Sequence, residues 1–161
     1  MAAPRLQLAL AGAAGIGLVA GGIVLARTLN LAACPLCVLQ RMVYLLLGLQ
    51  ALLLLPWVPA PGGLRAAGAL MGLTALGGAA IAGYQTWLQR FAAGVSCTAD
   101  QPWWEQFVNW AGTQSPLLFE ATGLCSEAGW KLAGLSIAEW SLLIFLGLAA
   151  ACLRVALAHR H

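Results

Sequence analysis

Five cysteines are the residues of this sequence best suited to chemistry. Cys34 and Cys37 form a C-x2-C pair, and Cys97, Cys125 and Cys152 follow further along the chain. The 59 residues between the pair and Cys97, and the 27 between Cys97 and Cys125, do not match the paired spacing of ribbon-type zinc sites. Two disulfides are the better interpretation, and they indicate an oxidising compartment outside the cytosol.

The sequence around the C-x2-C pair favours a reactive disulfide over a structural one. A disulfide between Cys34 and Cys37 closes a very small loop, so the gain in chain entropy is slight. Pro35 suits the first position of a helix, which places Cys37 in the first helical turn. Free backbone N–H groups and the helix dipole there stabilise a thiolate. We therefore expect a redox-active pair.

Arg41 is the cation nearest to this pair in the sequence. It follows Cys37 by four residues, so it lies one turn further along the same helix face. An arginine at a helix end is often only an interfacial anchor that extends toward the headgroups. Beside two thiols, the functional interpretation is favoured, in which the guanidinium stabilises the Cys37 thiolate.

Composition shows which elements must position these residues. Apolar residues make up 61% of the chain and charged residues 8%, against roughly 25% charged residues in a soluble domain. Uncharged runs long enough to cross a bilayer predict an all-α, polytopic membrane four-helix bundle. It forms a single integral membrane domain over 1–161, with helices at about 6–27, 37–57, 65–89 and 137–157. The first run is too long for a cleaved signal peptide, and Arg27 follows it where a small-residue cleavage site would stand.

The connections between the helices set the expected orientation. Loops at about 28–36 and 90–136 fall on the same side of the membrane and carry four of the cysteines, whereas Cys152 lies near the other side as a small hydrophobic residue. Each side receives four basic residues, so the positive-inside rule does not decide the orientation. The cysteines decide it: we expect periplasmic cysteine loops and two cytoplasmic termini.

The long loop contains a short amphipathic segment, "DQPWWEQFVNWAG". Trp103, Trp104, Phe107 and Trp110 follow helical spacing, with Glu105 off the apolar stripe. The pattern predicts a short helix that lies on the membrane surface or packs as a lid on the bundle. Either arrangement holds Cys97 near Cys34 and Cys37.

A thiolate at the bilayer edge needs an electron acceptor. The chain has no glycine fingerprint for nucleotides and no haem-attachment motif, so a lipid-soluble quinone is the acceptor expected at this depth. At this point the sequence resembles the DsbB family of disulfide bond formation proteins. The resemblance rests on "CPLCVLQR", on the separation of Cys97 and Cys125, and on "CSEAGWKLAGLSIAEWSLLIF". One departure is Gln40, at a position where the resemblance leads us to expect a glutamate.

The resemblance implies a specific route for electrons through a protein of the bacterial inner membrane. A periplasmic DsbA-like thioredoxin-fold protein reduces a Cys97–Cys125 disulfide, forming a mixed disulfide with Cys97. The loop pair is reoxidised by Cys34 and Cys37, which pass two electrons through Cys37 to ubiquinone or menaquinone. Arg41 would also hold a quinone carbonyl.

The sequence is also compatible with two alternatives. A vitamin K epoxide reductase-like enzyme is also a quinone-linked thiol protein, but in that family the helix-end pair comes late and the loop pair early. The other alternative is a non-enzymatic membrane scaffold with structural disulfides.

Overall fold

The computed structural model describes residues 2–56, 61–92 and 102–158. Four helices in this part of the chain are long and apolar enough to cross a membrane, which confirms the predicted all-α membrane bundle. They are α1 (Ala2–Thr28), α2 (Pro35–Leu54), α3 (Pro61–Phe91) and α6 (Ile137–Ala158). Between α3 and α6 lie α4 (Trp103–Gln114), α5 (Pro116–Phe119) and two short strands, β1 (Lys131–Leu132) and β2 (Leu135–Ser136).

The end of α2 and the start of α3 depart from the predicted spans, and a proline lies at each. Helix α2 ends at Leu54, three residues before the predicted end, and the Leu55 N–H donates to Ala51 as the helix closes. Pro56 follows, and it cannot extend the ladder because it has no N–H. Helix α3 begins at Pro61 rather than at 65, because a charge such as Arg65 marks the edge of an apolar run but does not stop a helix.

The connection from α1 to α2 is a tight cap. Asn30 adopts the left-handed conformation with φ of 50°, and the Leu31 N–H donates to the Ala26 carbonyl at 2.9 Å. This is a Schellman arrangement, in which the chain leaves the helix through one left-handed residue. The cap turns the chain back over the bundle and delivers Cys34 to the start of α2.

The core of the bundle relies on small residues at the helix contacts. At Gly68, an added Cβ would lie 2.8 Å from the Cys152 carbonyl oxygen, and at Gly78 it would lie 2.4 Å from the Phe145 ring. Small residues allow such close approach of helices in lipid. Cys152 itself is fully buried in the apolar core, the environment expected for a small hydrophobic residue.

A hairpin and a capping box precede α6, and neither was anticipated from the sequence. Strands β1 and β2 pair in antiparallel fashion through a turn at Ala133 and Gly134, both with positive φ. The Glu139 side chain then accepts from the Ser136 N–H at 2.7 Å, and the Glu139 N–H donates to the Ser136 hydroxyl. This reciprocal cap fixes the start of α6, and Arg90 pairs with Glu139 to join it to the end of α3.

Helix α4 divides the predicted aromatic stripe between two faces. Trp103, Phe107 and Trp110 are exposed, as a helix on the membrane surface requires. Trp104 instead packs inward, toward the start of α2. Glu105, expected on the polar side, is buried. The aromatic spacing did not reveal that the helix rests on the bundle through its smaller residues and Trp104.

Gly15 offers a test of the contact between α1 and α2. A Cβ there would lie 2.7 Å from the Tyr44 carbonyl oxygen, and backbone at that position cannot move without shifting a helix. We expect Gly15→Ala to cost about 1–3 kcal/mol of stability, measured as a lower melting temperature in detergent. Gly17→Ala is the control because its Cβ would meet nothing within 4 Å. Equal melting temperatures for the two variants would contradict this packing.

Candidate functional site

Three cysteines from two separate segments lie close together at the N-terminal end of α2. The Cys34 and Cys37 sulfur atoms are 2.7 Å apart, and Cys34 also has a side-chain hydrogen bond with Cys125. Cys34, Leu36 and Cys125 form a buried cluster, against which Cys37 and Trp104 pack. Cys34 thus lies between the other two thiols. Cys97 falls outside the described residues, so its pairing with Cys125 stays a prediction.

The local sequence explains how Cys34 and Cys37 are presented. Cys34 is the N-cap of α2 with extended backbone angles, and its sulfur accepts a hydrogen bond from the Cys37 N–H at 3.2 Å. Serine or aspartate usually fills this role. Pro35 occupies the first turn, where its missing N–H costs nothing. The cap directs the Cys34 sulfur toward Cys37 rather than toward solvent.

Backbone hydrogen bonds hold the long loop against the α1–α2 connection. The Thr122 and Gly123 N–H groups both donate to the Ala33 carbonyl at 2.9 Å. A Cβ at Gly123 would lie 2.5 Å from the Ala32 carbonyl oxygen, so this approach requires glycine. Cys125 follows two residues later, and the docking therefore sets its distance from Cys34.

The environment of Cys34 keeps this thiol protonated. Its hydrogen bonds with Cys125 and Cys37, together with burial, raise the pKa of Cys34 well above its usual range. A thiol that donates its S–H to a neighbouring sulfur holds its proton, and a negative charge on either neighbour disfavours a second one on Cys34. Cys34 is thus suited to be the sulfur that is attacked, and to donate its S–H to a neighbour when reduced.

Two buried glutamines lie beside this centre, Gln85 in contact with the sulfurs and Gln40 in contact with Gln85. Of the two, only Gln40 was noted in the sequence. The Gln85 side-chain nitrogen lies 3.2 Å from the Cys34 sulfur and 3.1 Å from the Cys37 sulfur. Its amide oxygen accepts from the Gln40 side chain at 2.7 Å. Gln85 was not identified from the sequence, although an amide inside an apolar span is a recognised signal of function.

Arg41 lies beside the thiols but has a further partner. It lines the same cavity as Cys34 and Cys37 and is close enough to interact electrostatically with Cys37. Its guanidinium also donates to the Leu118 carbonyl at 3.3 Å. The side chain therefore joins α2 to α5 as well as facing the thiols, which a simple interfacial anchor does not require. Its predicted role in quinone binding stays a prediction.

The cavity beside the cysteines has a volume of about 280 Å³. Apolar residues of α1, among them Leu18 and Leu25, form one wall, and Arg41 lies on another. Tyr44 and Ser141 also line it, and their hydroxyl groups are 3.2 Å apart. An apolar wall with a few polar groups suits a flat, largely apolar ring that carries oxygen atoms.

Gly123→Ala tests whether loop docking sets the position of Cys125. The variant is made with Cys37→Ser and Cys97→Ser, and Cys34–Cys125 disulfide formation is followed under mild oxidation. We expect the rate to fall roughly tenfold or more, because small displacements of reacting groups are costly. In the same loop, a Cβ at Gly129 would meet nothing within 4 Å, so Gly129→Ala should keep the original rate. A fast Gly123→Ala variant would show that docking does not control the approach.

The chain matches a known protein family and several known proteins over most of its length. The family model described as disulfide bond formation protein DsbB matches residues 4–155. A disulfide bond formation protein B of Dechloromonas aromatica is 41% identical over 148 residues, covering 91% of this chain and 88% of its own length. One of Stutzerimonas stutzeri is 34% identical over 155 residues, covering 95% and 94%. The chain therefore belongs to the DsbB family of membrane disulfide oxidoreductases, and its function is disulfide bond formation.

Proposed function

We propose that the protein reoxidises a periplasmic DsbA-like thioredoxin-fold dithiol and passes the two electrons through its cysteines to a membrane quinone, ubiquinone or menaquinone. The observation that carries this proposal is the position of Cys34. It contacts Cys125 of the long loop and Cys37 of α2, and both members of its pair line a cavity. Loop and cavity are thereby linked through one sulfur atom.

Thiol–disulfide exchange accounts for the first half of the route. A thiolate of the partner attacks Cys97 in a Cys97–Cys125 disulfide, and the electron pair of the broken bond leaves on Cys125. The partner's second thiol then displaces Cys97, which releases the oxidised partner and a reduced loop pair. The Cys125 thiolate attacks Cys34, which is its neighbour in the structure, and Cys37 leaves as a thiolate.

In the second half, the chain's own residues hold the reduced pair beside the cavity. Cys97 attacks the Cys125 sulfur and Cys34 leaves, so the loop disulfide is restored and Cys34 and Cys37 are both reduced. A quinone held there would accept two electrons as the Cys34–Cys37 disulfide re-forms. Because Cys37 is a thiolate, the two protons of the hydroquinone would come from the Cys34 thiol and from water. The apolar wall of α1 and the polar groups of Arg41, Tyr44 and Ser141 suit the ring and its carbonyl oxygens.

The proposed orientation follows from the redox chemistry. Structural and catalytic disulfides persist in oxidising compartments, so the cysteine end of this bacterial inner-membrane protein would face the periplasm and both termini the cytoplasm. After His161, a reporter enzyme that is active only in the cytoplasm should then give a signal, and one that is active only in the periplasm should not. One inserted near Thr113 should require the periplasm, and the reverse pattern would contradict the proposal.

The direct test uses purified protein in detergent, a reduced DsbA-like donor and a soluble ubiquinone or menaquinone analogue. We expect quinone reduction and donor oxidation in equal amounts, with dependence on all four cysteines. Donor oxidation without quinone reduction would point to another acceptor. If neither occurs, the proposed route from a DsbA-like donor to a quinone is wrong.

Arg41→Ala tests the second half of the route separately. Loss of a charge-assisted hydrogen bond costs about 1.5–3 kcal/mol, and weaker thiolate stabilisation adds to it, so steady-state quinone reduction should fall about 10- to 1000-fold. Arg41→Lys should be intermediate because lysine keeps the charge but not the planar fork. A single-turnover oxidation of the donor by the loop pair should stay normal.

Arg65 provides the matched control. It also donates to a backbone carbonyl, that of Ala156, but at the opposite end of the bundle. Arg65→Ala should reduce quinone at the original rate. If Arg41→Ala does the same, Arg41 is only an interfacial anchor.

A further inference from the structure

The two buried glutamines have no part in the route described above. Gln40 and Gln85 are 4% and 2% exposed, and both lie within helices that cross the membrane. A buried amide without hydrogen bonds is costly in such surroundings. Both amides are bonded, and the chain of contacts runs from Gln40 to Gln85 and from Gln85 to the two sulfurs.

We infer that Gln85 is a catalytic residue of this site, whose amide N–H groups bind the negative charge that appears on Cys37 when the Cys34–Cys37 disulfide opens. Gln40 is the positioning residue that sets the direction of this amide. The inference rests on the proposed function of the pair in thiol–disulfide exchange. It adds a neutral donor to the charge of Arg41.

The Gln85 side chain has one N–H group for each of the two sulfur atoms. A glutamine side chain has two N–H bonds on one nitrogen, and the Gln85 nitrogen has both sulfurs within 3.2 Å. The Cys37 N–H also donates to Cys34. Both sulfurs therefore face fixed hydrogen-bond donors before any reaction takes place. Such preorganised donors are most effective where charge develops during a reaction.

The charge that Gln85 binds appears on Cys37 when the Cys34–Cys37 disulfide is opened. An incoming thiolate forms a bond with the Cys34 sulfur, the Cys34–Cys37 bond breaks, and its electron pair leaves on Cys37. The Gln85 N–H at 3.1 Å from Cys37 then becomes a hydrogen bond to an anion, which is stronger than one to a neutral disulfide. When Cys37 gives up its electrons, the charge disappears and the bond weakens again. No proton is transferred to or from the amide.

Gln40 determines which end of the Gln85 amide faces the sulfur atoms. An amide can rotate by half a turn and exchange its oxygen for its nitrogen with little change of shape. The rotated form would direct the lone pairs of the Gln85 oxygen at two sulfurs. Because Gln40 donates to that oxygen at 2.7 Å, the nitrogen faces the cysteines. The amide of Gln40, the residue before Arg41, can therefore orient the Gln85 side chain.

A neutral donor also suits the location. A second permanent cation beside two neutral sulfurs would carry a large desolvation cost when the pair is oxidised. An amide avoids this cost, since it carries no net charge and its attraction grows only when the thiolate forms. Gln85 thus favours the charged state selectively.

The experiment measures the redox equilibrium of the Cys34–Cys37 pair alone, in full-length protein that carries Cys97→Ser and Cys125→Ser. The pair is equilibrated at pH 8 with defined ratios of reduced and oxidised dithiothreitol, without quinone. We expect Gln85→Met to shift the equilibrium constant about tenfold toward the disulfide, which corresponds to a potential about 30 mV more negative. Gln40→Met should shift it in the same direction by a smaller factor. Alkylation of the reduced pair by iodoacetamide should slow in the same order.

Gln50 supplies the matched control. It also lies on α2, and its side-chain nitrogen donates to the Thr74 hydroxyl of α3 at 2.9 Å. Gln50→Met removes an amide between the same two helices away from the cysteines, so the equilibrium constant should not change. A purely structural effect of losing an α2–α3 hydrogen bond would shift it in all three variants, and that result would overturn the inference.

Two further outcomes separate this inference from the proposed function. If the pair without substitution at Gln85 cannot be titrated reversibly, the proposed redox function fails and Gln85 is a packing residue. If it titrates and Gln85→Met stays within twofold, only the inference fails. Where Gln85→Met does not fold, Gln85→Asn keeps an amide that is too short to reach both sulfurs. An unchanged equilibrium constant for Gln85→Asn would likewise overturn the inference.

Discussion

Disulfide exchange requires sulfur atoms in contact, and in this protein that contact depends on the docking of one loop onto another. The Ala33 carbonyl accepts two backbone hydrogen bonds from the long loop, and the absence of a side chain at Gly123 permits the approach. The left-handed cap at Asn30 and the Cys34 N-cap present the other side of the contact. The bundle supplies a fixed platform, because α2 begins where the loops meet.

The second physical constraint is the cost of charge near lipid. Opening a disulfide places a thiolate at the end of a membrane helix, where few water molecules stabilise it. The structure surrounds that position with Arg41, which carries a permanent charge, and with Gln85, which carries none. We propose that this arrangement favours the thiolate without adding a second permanent charge beside the disulfide. The hydrogen bond from Arg41 to Leu118 also ties this electrostatic centre to the loop.

Much of the fold could be predicted from the sequence because uncharged runs locate the membrane helices and prolines mark several of their ends. The position of Cys37 in the first turn followed from Pro35 in the same way. Gln85 was missed because it lies 48 residues from Cys37 and the rotation of a helix cannot be read when nearly every face is apolar. The same limit explains Trp104 and Glu105, whose burial depends on what α4 rests against. The contact of Cys125 with Cys34 depends on two backbone hydrogen bonds, which leave no pattern in the side chains.

We propose that the Cys34–Cys37 pair gives its electrons directly to a quinone. The most direct measurement is a single anaerobic turnover of fully reduced protein carrying Cys97→Ser and Cys125→Ser, mixed with one equivalent of a ubiquinone or menaquinone analogue. We expect one hydroquinone per protein and one new disulfide, identified by mass spectrometry as Cys34–Cys37. Unreduced quinone, or hydroquinone without that disulfide, would contradict it.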